Sequence, residues 1–283
     1  MYIILDCSYL CHVAKHAMGE LSWADKKVGV VFGFLRQVLT IAKTFETNNF
    51  IFAWDSKESK RKAIFPQYKS NRHAEKTVEE KELDAIAYAQ FTEIRETVLP
   101  YLGVSNNFQV RGYEADDIIA QITKKHIASE FIIVSSDSDL YQLLERNRVY
   151  IYSIKKKEYY THDNFVNEYG VNPPTWAMVK AIAGCVSDGV PGVVGVGEKT
   201  AIKYLKGELK TTTTAYAKIR DFPNLDRNKQ LVTLPYPDMP LLKVSKQRKL
   251  SLDHFLNLCV DYGFESFLRK EMLDQWKKYL NLK

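Results

Sequence analysis

Short apolar runs alternate with longer amphipathic stretches through the first 160 residues of this chain. Three of the runs lead straight into an acid: Tyr2-Ile3-Ile4-Leu5 into Asp6, Phe50-Ile51-Phe52-Ala53-Trp54 into Asp55, and Phe131 to Ser136 into Asp137. Their length and their β-branched and aromatic content predict strands at 2–6, 50–54 and 131–135, with another at 107–111. The stretches between them carry apolar residues at helical spacing and predict helices near 28–46, 78–102 and 115–127. After a short helix at 140–145, Val149-Tyr150-Ile151-Tyr152 and Glu158-Tyr159-Tyr160 flank Lys155-Lys156-Lys157, a pattern for a hairpin with a basic turn. From Asn172 onward the pattern changes to short helices, ending in those of Leu252 to Leu280.

Alternation of this kind predicts an α/β fold, a mainly parallel central sheet flanked by helices. The change of character near Asn172 divides the chain into an α/β core at 1–170 and a helical subdomain at 171–283. Parallel strands bring their C-terminal ends to one edge, where open α/β sheets place their sites. Eight carboxylates fall at such ends or just beyond an apolar run: Asp6, Asp55, Glu114, Asp116, Asp117, Asp137, Asp139 and Asp188. Packed together without compensation they would repel one another and raise each other's pKa values, so divalent cations shared among them are the economical explanation. Taken singly, each acid also fits a blander role. Glu114, Asp116 and Asp117 at the first turn of a helix complement its dipole, worth about 0.3–1 kcal/mol, and Asp137 or Asp139 caps the helix that follows. Their joint occurrence at strand ends favours a site.

The chain has 283 residues, 46% hydrophobic and 26% charged, enough for a substantial core. Net charge is +6, and setting aside the eight acids leaves 40 basic against 26 acidic side chains, a net +14. A basic body around an acidic hole suits a polyanion gripped by its backbone. Cys7, Cys11, Cys185 and Cys259 show neither C-x-x-C pairing nor zinc spacing, and read as buried free thiols of a reducing compartment. The six histidines show no metal-binding spacing. No apolar stretch approaches the roughly 20 residues of a membrane span, and a strand-like run stands where a signal peptide would. The expected location is the cytoplasm, or the host cytoplasm for a phage-encoded chain, and the default state is a monomer.

Three segments carry a resemblance. Gly112-Tyr113-Glu114-Ala115-Asp116-Asp117 resembles the G-x-E-A-D-D motif of the 5′-nuclease superfamily, the flap endonucleases, bacteriophage 5′ to 3′ exonucleases and 5′-nuclease domains of bacterial DNA polymerase I. Ser136-Asp137-Ser138-Asp139-Leu140 is similar to its acid-x-acid motif, and Pro191 to Ala201 to its helix-three-turn-helix loop. The resemblance runs from Asp6 to about Val244 and implies a PIN-like nuclease core, a helical arch at about 66–100 and a helix-three-turn-helix at about 178–206, followed by C-terminal helices. It implies a first metal site of Asp6, Asp55, Glu114 and Asp116, a second of Asp137, Asp139 and Asp188, and Asp117 beside or between them. Mg²⁺ would occupy both, with Mn²⁺ able to substitute.

The same resemblance covers the substrate-holding elements. Pro66-Gln67-Tyr68-Lys69-Ser70-Asn71-Arg72 is similar to the family's segment at the base of the arch, which implies that Lys69 and Arg72 contact the scissile phosphate and that Tyr68 stacks on a terminal base. Gly192, Gly195 and Gly197 would let backbone N–H groups approach a duplex phosphate, with Lys199 and Thr200 following and K⁺ as a candidate bridging ion. The implied activity is a 5′ to 3′ exonuclease and structure-specific 5′-flap endonuclease in replication or repair. It would act on DNA with 5′ flaps or 5′ ends, with RNA–DNA hybrids open as substrates and polymerase or replication proteins as separate partners. One departure stands out: the family's G-D-x-x-D-N reads Gly184-Cys185-Val186-Ser187-Asp188-Gly189 here. Thiolate is a poor partner for Mg²⁺, so Cys185 is read as a non-ligand and the second site as weaker. The rival readings are a DNA-binding relative with weakened catalysis, a PIN-type ribonuclease and a small-molecule phosphohydrolase, the last leaving the basic segment around Lys69 unexplained.

Overall fold

The structure, a computed structural model, describes residues 1–70, 77–247 and 249–283. The chain gathers into two compact units that interleave along the sequence. One comprises Met1–Trp54, Lys76–Gln109 and Lys243–Lys283, the other Asp55–Glu75 and Val110–Leu242. These limits differ from the division at residue 170 read from the sequence. Six strands, mostly parallel and accompanied by helices, give the α/β class that the alternation predicts.

The first unit holds β1 (Tyr2–Asp6), β2 (Phe50–Trp54) and β3 (Asn107–Gln109). β2 lies between the others and is parallel to both, with Asp6 opposite Ala53 and Trp54 opposite Gln109. Ile3, Ile4, Leu5 and all five residues of β2 are buried, the continuous apolar run of strands covered on both faces. Asp6 ends β1 and starts α1 (Cys7–Met18), accepting the Tyr9 N–H at 3.0 Å. The apolar pattern does not announce this helix, because its start signal, Asp6, is also the acid that ends β1. α1 packs on α2 (Gly29–Phe45). α3 (Val78–Glu93) begins in a capping box between Thr77 and Glu80. Gln90 of α3 accepts the Val30 N–H at the start of α2 at 2.9 Å, and Asp84 pairs with Lys15 of α1. The helix expected at 78–102 is thus α3, a π-helical turn at Ile94–Val98 and a short helix at Leu99–Leu102. The C-terminal helices Leu252–Asp261 and Lys270–Leu280 complete this unit, packing Phe255, Phe267 and Trp276 together.

The second unit holds β4 (Phe131–Val134) parallel to β5 (Val149–Ser153), which pairs antiparallel with β6 (Glu158–Tyr160) across the basic turn. α4 (Ala115–Lys125) precedes β4. Further on come α5 (Trp176–Ala183), a two-residue ladder between Gly184–Cys185 and Val190–Pro191, α6 (Glu198–Leu205) and α7 (Leu225–Val232). Tyr68, Ala181, Cys185, Val190, Leu231 and Val232 form one buried cluster of this unit. All four cysteines are free and buried, and no helix among the described residues is long and apolar enough to cross a membrane.

Candidate active site

Seven of the eight acids belong to the second unit; Asp6, in the first, is the N-cap of α1. Asp55 follows β2 directly in the chain and accepts the Ala115 N–H at 2.9 Å, which satisfies a donor in the first turn of α4. Glu114 is the N-cap of α4, and Asp116 lies half-buried in its first turn. Asp137 ends the chain's exit from β4 and accepts the Asp139 N–H at 2.8 Å, opening a 3₁₀ turn at Ser138–Leu143. Capping and clustering therefore coexist: the backbone N–H groups that fix these carboxylates also orient them.

Asp117 is corrected by the structure. It is 0% exposed, and its two oxygens accept four hydrogen bonds: a fork from Arg61 at 2.7 and 2.8 Å, the Glu114 N–H at 3.0 Å and the Tyr236 N–H at 2.7 Å. A carboxylate has about four acceptor sites, so none is left for a metal or for catalysis. Arg61 is 2% exposed, and its Nε donates to the Leu231 carbonyl at 2.8 Å. Burial opposes its charge, but Asp117 and then Glu114 outweigh that and raise its pKa. Nothing in the spacing of Lys60-Arg61-Lys62 distinguishes the one buried cation from its neighbours.

Tyr68 requires a second correction. Its ring is 2% exposed and lies in the core cluster, so it cannot stack on a terminal base. Its hydroxyl donates to Asp188 Oδ2 at 2.8 Å and lies 3.1 Å from Glu114 Oε2. Burial, followed by the Glu114 and Asp188 charges, pushes the phenol pKa up, which keeps it a donor.

Lys69 is where the two groups of acids meet within this unit. Its Nζ donates to Glu114 Oε2 at 2.8 Å and lies 3.8 Å from Asp188 Oδ1, and its backbone N–H donates to the Asp188 carbonyl at 2.8 Å. Its φ of 56° is left-handed, uncommon for a lysine and a strain that such sites tolerate where neighbours enforce it. Burial pushes the Glu114 carboxyl up, but the Lys69 and Arg61 cations, with the hydrogen bonds from Lys69 and Tyr68, hold it below its ordinary value. Arg72, the expected partner of Lys69, lies outside the described residues.

Around Cys185 a compact donor set forms. One ligand atom each from Asp139, Cys185 and Asp188 lies within 4.8 Å of the other two. Cys185 Sγ stands 3.7 Å from Asp139 Oδ2 and 3.1 Å from Ser187 Oγ. Asp139 Oδ1 is buried without a hydrogen-bond partner, with Lys180 Nζ at 3.7 Å. Burial first, then the Asp137 carboxylate, push Asp139 up to about 6. Asp137, exposed and engaged as a cap, is not in this set. Lys180 also pairs with Glu198 at 2.9 Å and was missed from sequence; its signal was a single charge on the otherwise apolar turns of α5.

The glycine loop leads into α6, with Gly197 as N-cap and Lys199 exposed. Gly195 has φ 80°, which favours glycine. Gly192 carries a packing requirement that the sequence did not announce: a Cβ there would stand 2.2 Å from the Ala183 backbone. Gly192→Ala is expected to cost about 1–3 kcal/mol through overpacking, read as a lower urea midpoint with unchanged m-value.

Strand-end acids held beside buried or half-buried cations on an α/β framework define the class: an acid-centred α/β protein whose donor groups suit divalent cations. Residues 1–170 match the family model described as the 5′-3′ exonuclease, N-terminal resolvase-like domain, and the chain belongs to that family. It is 33% identical over 194 residues to a 5′-3′ exonuclease of Halalkalibacterium halodurans, covering 66% of this chain and 60% of that one. It is 30% identical to a 5′-3′ exonuclease of Aquifex aeolicus, covering 84% and 82%. The matched stretch thus spans about three fifths of the H. halodurans relative's length. Among solved structures, the bacteriophage T5 flap endonuclease in complex with DNA and metal ions shares the fold at TM-score 0.70 and 23% identity, covering 99% of this chain and 97% of that one.

Proposed function

We propose that this chain is a metal-dependent 5′ to 3′ exonuclease and 5′-flap endonuclease that hydrolyses DNA phosphodiesters to 5′-phosphate and 3′-hydroxyl ends. The observation that carries the reading is Lys69, a cation between Glu114 and Asp188 at the meeting of two carboxylate groups. Such a cation is placed to exchange its carboxylate partner for a phosphate oxygen and to stabilise the charge that develops there. The 5′-3′ exonuclease names of the relatives and the DNA and metal ions of the T5 complex support the substrate class.

Asp55, Glu114 and Asp116 offer hard oxygen donors that suit Mg²⁺, and Mn²⁺ as its substitute; Asp6, the N-cap of α1, is a carboxylate of the same kind. Asp139 and Asp188 belong to the second donor set. Bound divalent cations would polarise the phosphodiester and make water a nucleophile at neutral pH. The chain's own part is to fix the carboxylates through backbone caps, to hold Asp188 by the Tyr68 hydroxyl, and to present Lys69. Residues 66–100 as the arch, Arg72 as a second phosphate contact, and the loop at Gly192–Gly197 with Lys199 and Thr200 as the duplex-backbone grip, with K⁺ bridging, complete the reading. Gly192 supports that loop by packing. Phosphate contacts carry no sequence information, so cutting is expected to follow DNA structure.

Incubation of 3′-labelled 5′-flap DNA and of single-stranded RNA with the protein and Mg²⁺ tests this reading. Cutting near the flap junction, with RNA spared, is expected; preferential RNA hydrolysis would replace it with a PIN-type ribonuclease. Lys69→Met is expected to lower the single-turnover rate by about 10²-fold while leaving flap affinity within a few-fold. A change in affinity alone would remove Lys69 from the chemistry.

A further inference from the structure

We propose that Asp139, Cys185 and Asp188 form a divalent-cation site in which the cysteine sulfur is a ligand, so that this site takes a thiophilic ion of the zinc class in preference to Mg²⁺. The inference rests on reading the second acid group as a cation site, and it reverses the expectation that Cys185 stands aside. Two observations carry it. The Cys185 sulfur is not displaced from the acids but lies with them, its ligand atom and theirs within 4.8 Å of one another. Asp139 Oδ1 is buried and accepts no hydrogen bond, the condition of a donor atom awaiting a cation. The cations facing the set, Lys180 at 3.7 Å from Asp139 Oδ1 and Lys69 at 3.8 Å from Asp188 Oδ1, form ion pairs that a bound metal ion would replace.

The chemistry of the donors sets the preference. Mg²⁺ demands oxygen ligands and sheds water reluctantly, whereas mixed sulfur and carboxylate donors suit Zn²⁺, Co²⁺ or Cd²⁺. When such an ion binds, the metal–sulfur bond forms as the thiol proton leaves to solvent. The site then carries one thiolate and two carboxylates, the same formal charge as three carboxylates. Cys185 therefore keeps the electrostatics of an aspartate while changing which ion is selected. Three protein ligands leave a further position open to a water or phosphate oxygen.

The test is optical and independent of nuclease activity. Metal-stripped protein is titrated with Co²⁺ and the thiolate-to-metal charge-transfer absorption in the near ultraviolet is followed, in wild type, Cys185→Ser and Cys185→Asp. A band that saturates near one equivalent in wild type and is lost in both variants is expected, with Mg²⁺ binding by calorimetry tightened in Cys185→Asp. Cys7, Cys11 and Cys259 remain in every variant and serve as the internal control. Co²⁺ binding without a band in wild type, or a band that persists in Cys185→Ser, would overturn the proposal. Should either variant fail to fold, ¹¹³Cd NMR of the wild type reads sulfur ligation directly, and a shift typical of oxygen-only ligands would overturn it. Flap cleavage in Mg²⁺ alone, scored separately, tells failure of this site from failure of the nuclease reading.

Discussion

Replacing Arg61 by methionine is expected to lower the unfolding free energy by about 3–5 kcal/mol, the cost of leaving a buried charge without its partner. The loss falls on Asp117, which has no exposure and would keep only two backbone N–H donors. It also frees the Leu231 carbonyl from its side-chain donor and removes the guanidinium 5.0 Å from the Tyr236 ring centroid. The effect reaches the site, because Asp117 accepts the Glu114 N–H and so sets the first turn of α4. Urea unfolding followed by far-ultraviolet circular dichroism measures the change. Adding Asp117→Leu to Arg61→Met removes the unpaired charge and should recover much of the loss, since an apolar replacement of a buried pair is often neutral or stabilising. Equal stability of Arg61→Met and wild type would show that the pair contributes nothing to the fold.

The contrast between Asp117 and Asp116 also marks how far sequence reasoning reaches. Strand positions follow from apolar runs, so β1, β2 and β4 were legible to within a residue or two, and the acids behind them were found by position alone. The G-x-E-A-D-D segment identified three acids but could not rank them. Which carboxylate turns inward depends on a guanidinium more than fifty positions away in the chain, and no local pattern encodes that partner. Tyr68 failed for the same reason: an aromatic in a basic segment fits base stacking until packing places it against Val190 and Leu231. Cys185 was noticed as a departure, but whether its sulfur points toward the acids is a matter of the ladder between Gly184–Cys185 and Val190–Pro191, which two-residue strands do not announce.

Asp116→Asn is expected to lower cleavage by about a thousandfold or more, with urea unfolding of the variant measured alongside as the control for folding. A divalent ion supplies several kcal/mol of charge stabilisation, and about 4 kcal/mol corresponds to roughly 10³ in rate. Asp116 is half-buried on the first turn of α4, where its carboxylate also complements the helix dipole by about 0.3–1 kcal/mol. Glu114 is instead tied to Lys69 and Tyr68, and its substitution would disturb several contacts at once.

The most direct measurement is the single-turnover cleavage of a 3′-labelled 5′-flap DNA across a Mg²⁺ titration, with wild type beside Asp116→Asn and an EDTA arm. Wild type should cut near the flap junction only with the metal, and Asp116→Asn should bind the flap yet cut at most about a thousandth as fast. Cutting that survives EDTA, or an Asp116→Asn rate equal to wild type, would contradict a metal-dependent nuclease centred on these carboxylates. Flap binding by wild type with no cutting at any Mg²⁺ concentration would contradict it equally and leave a DNA-binding protein in its place.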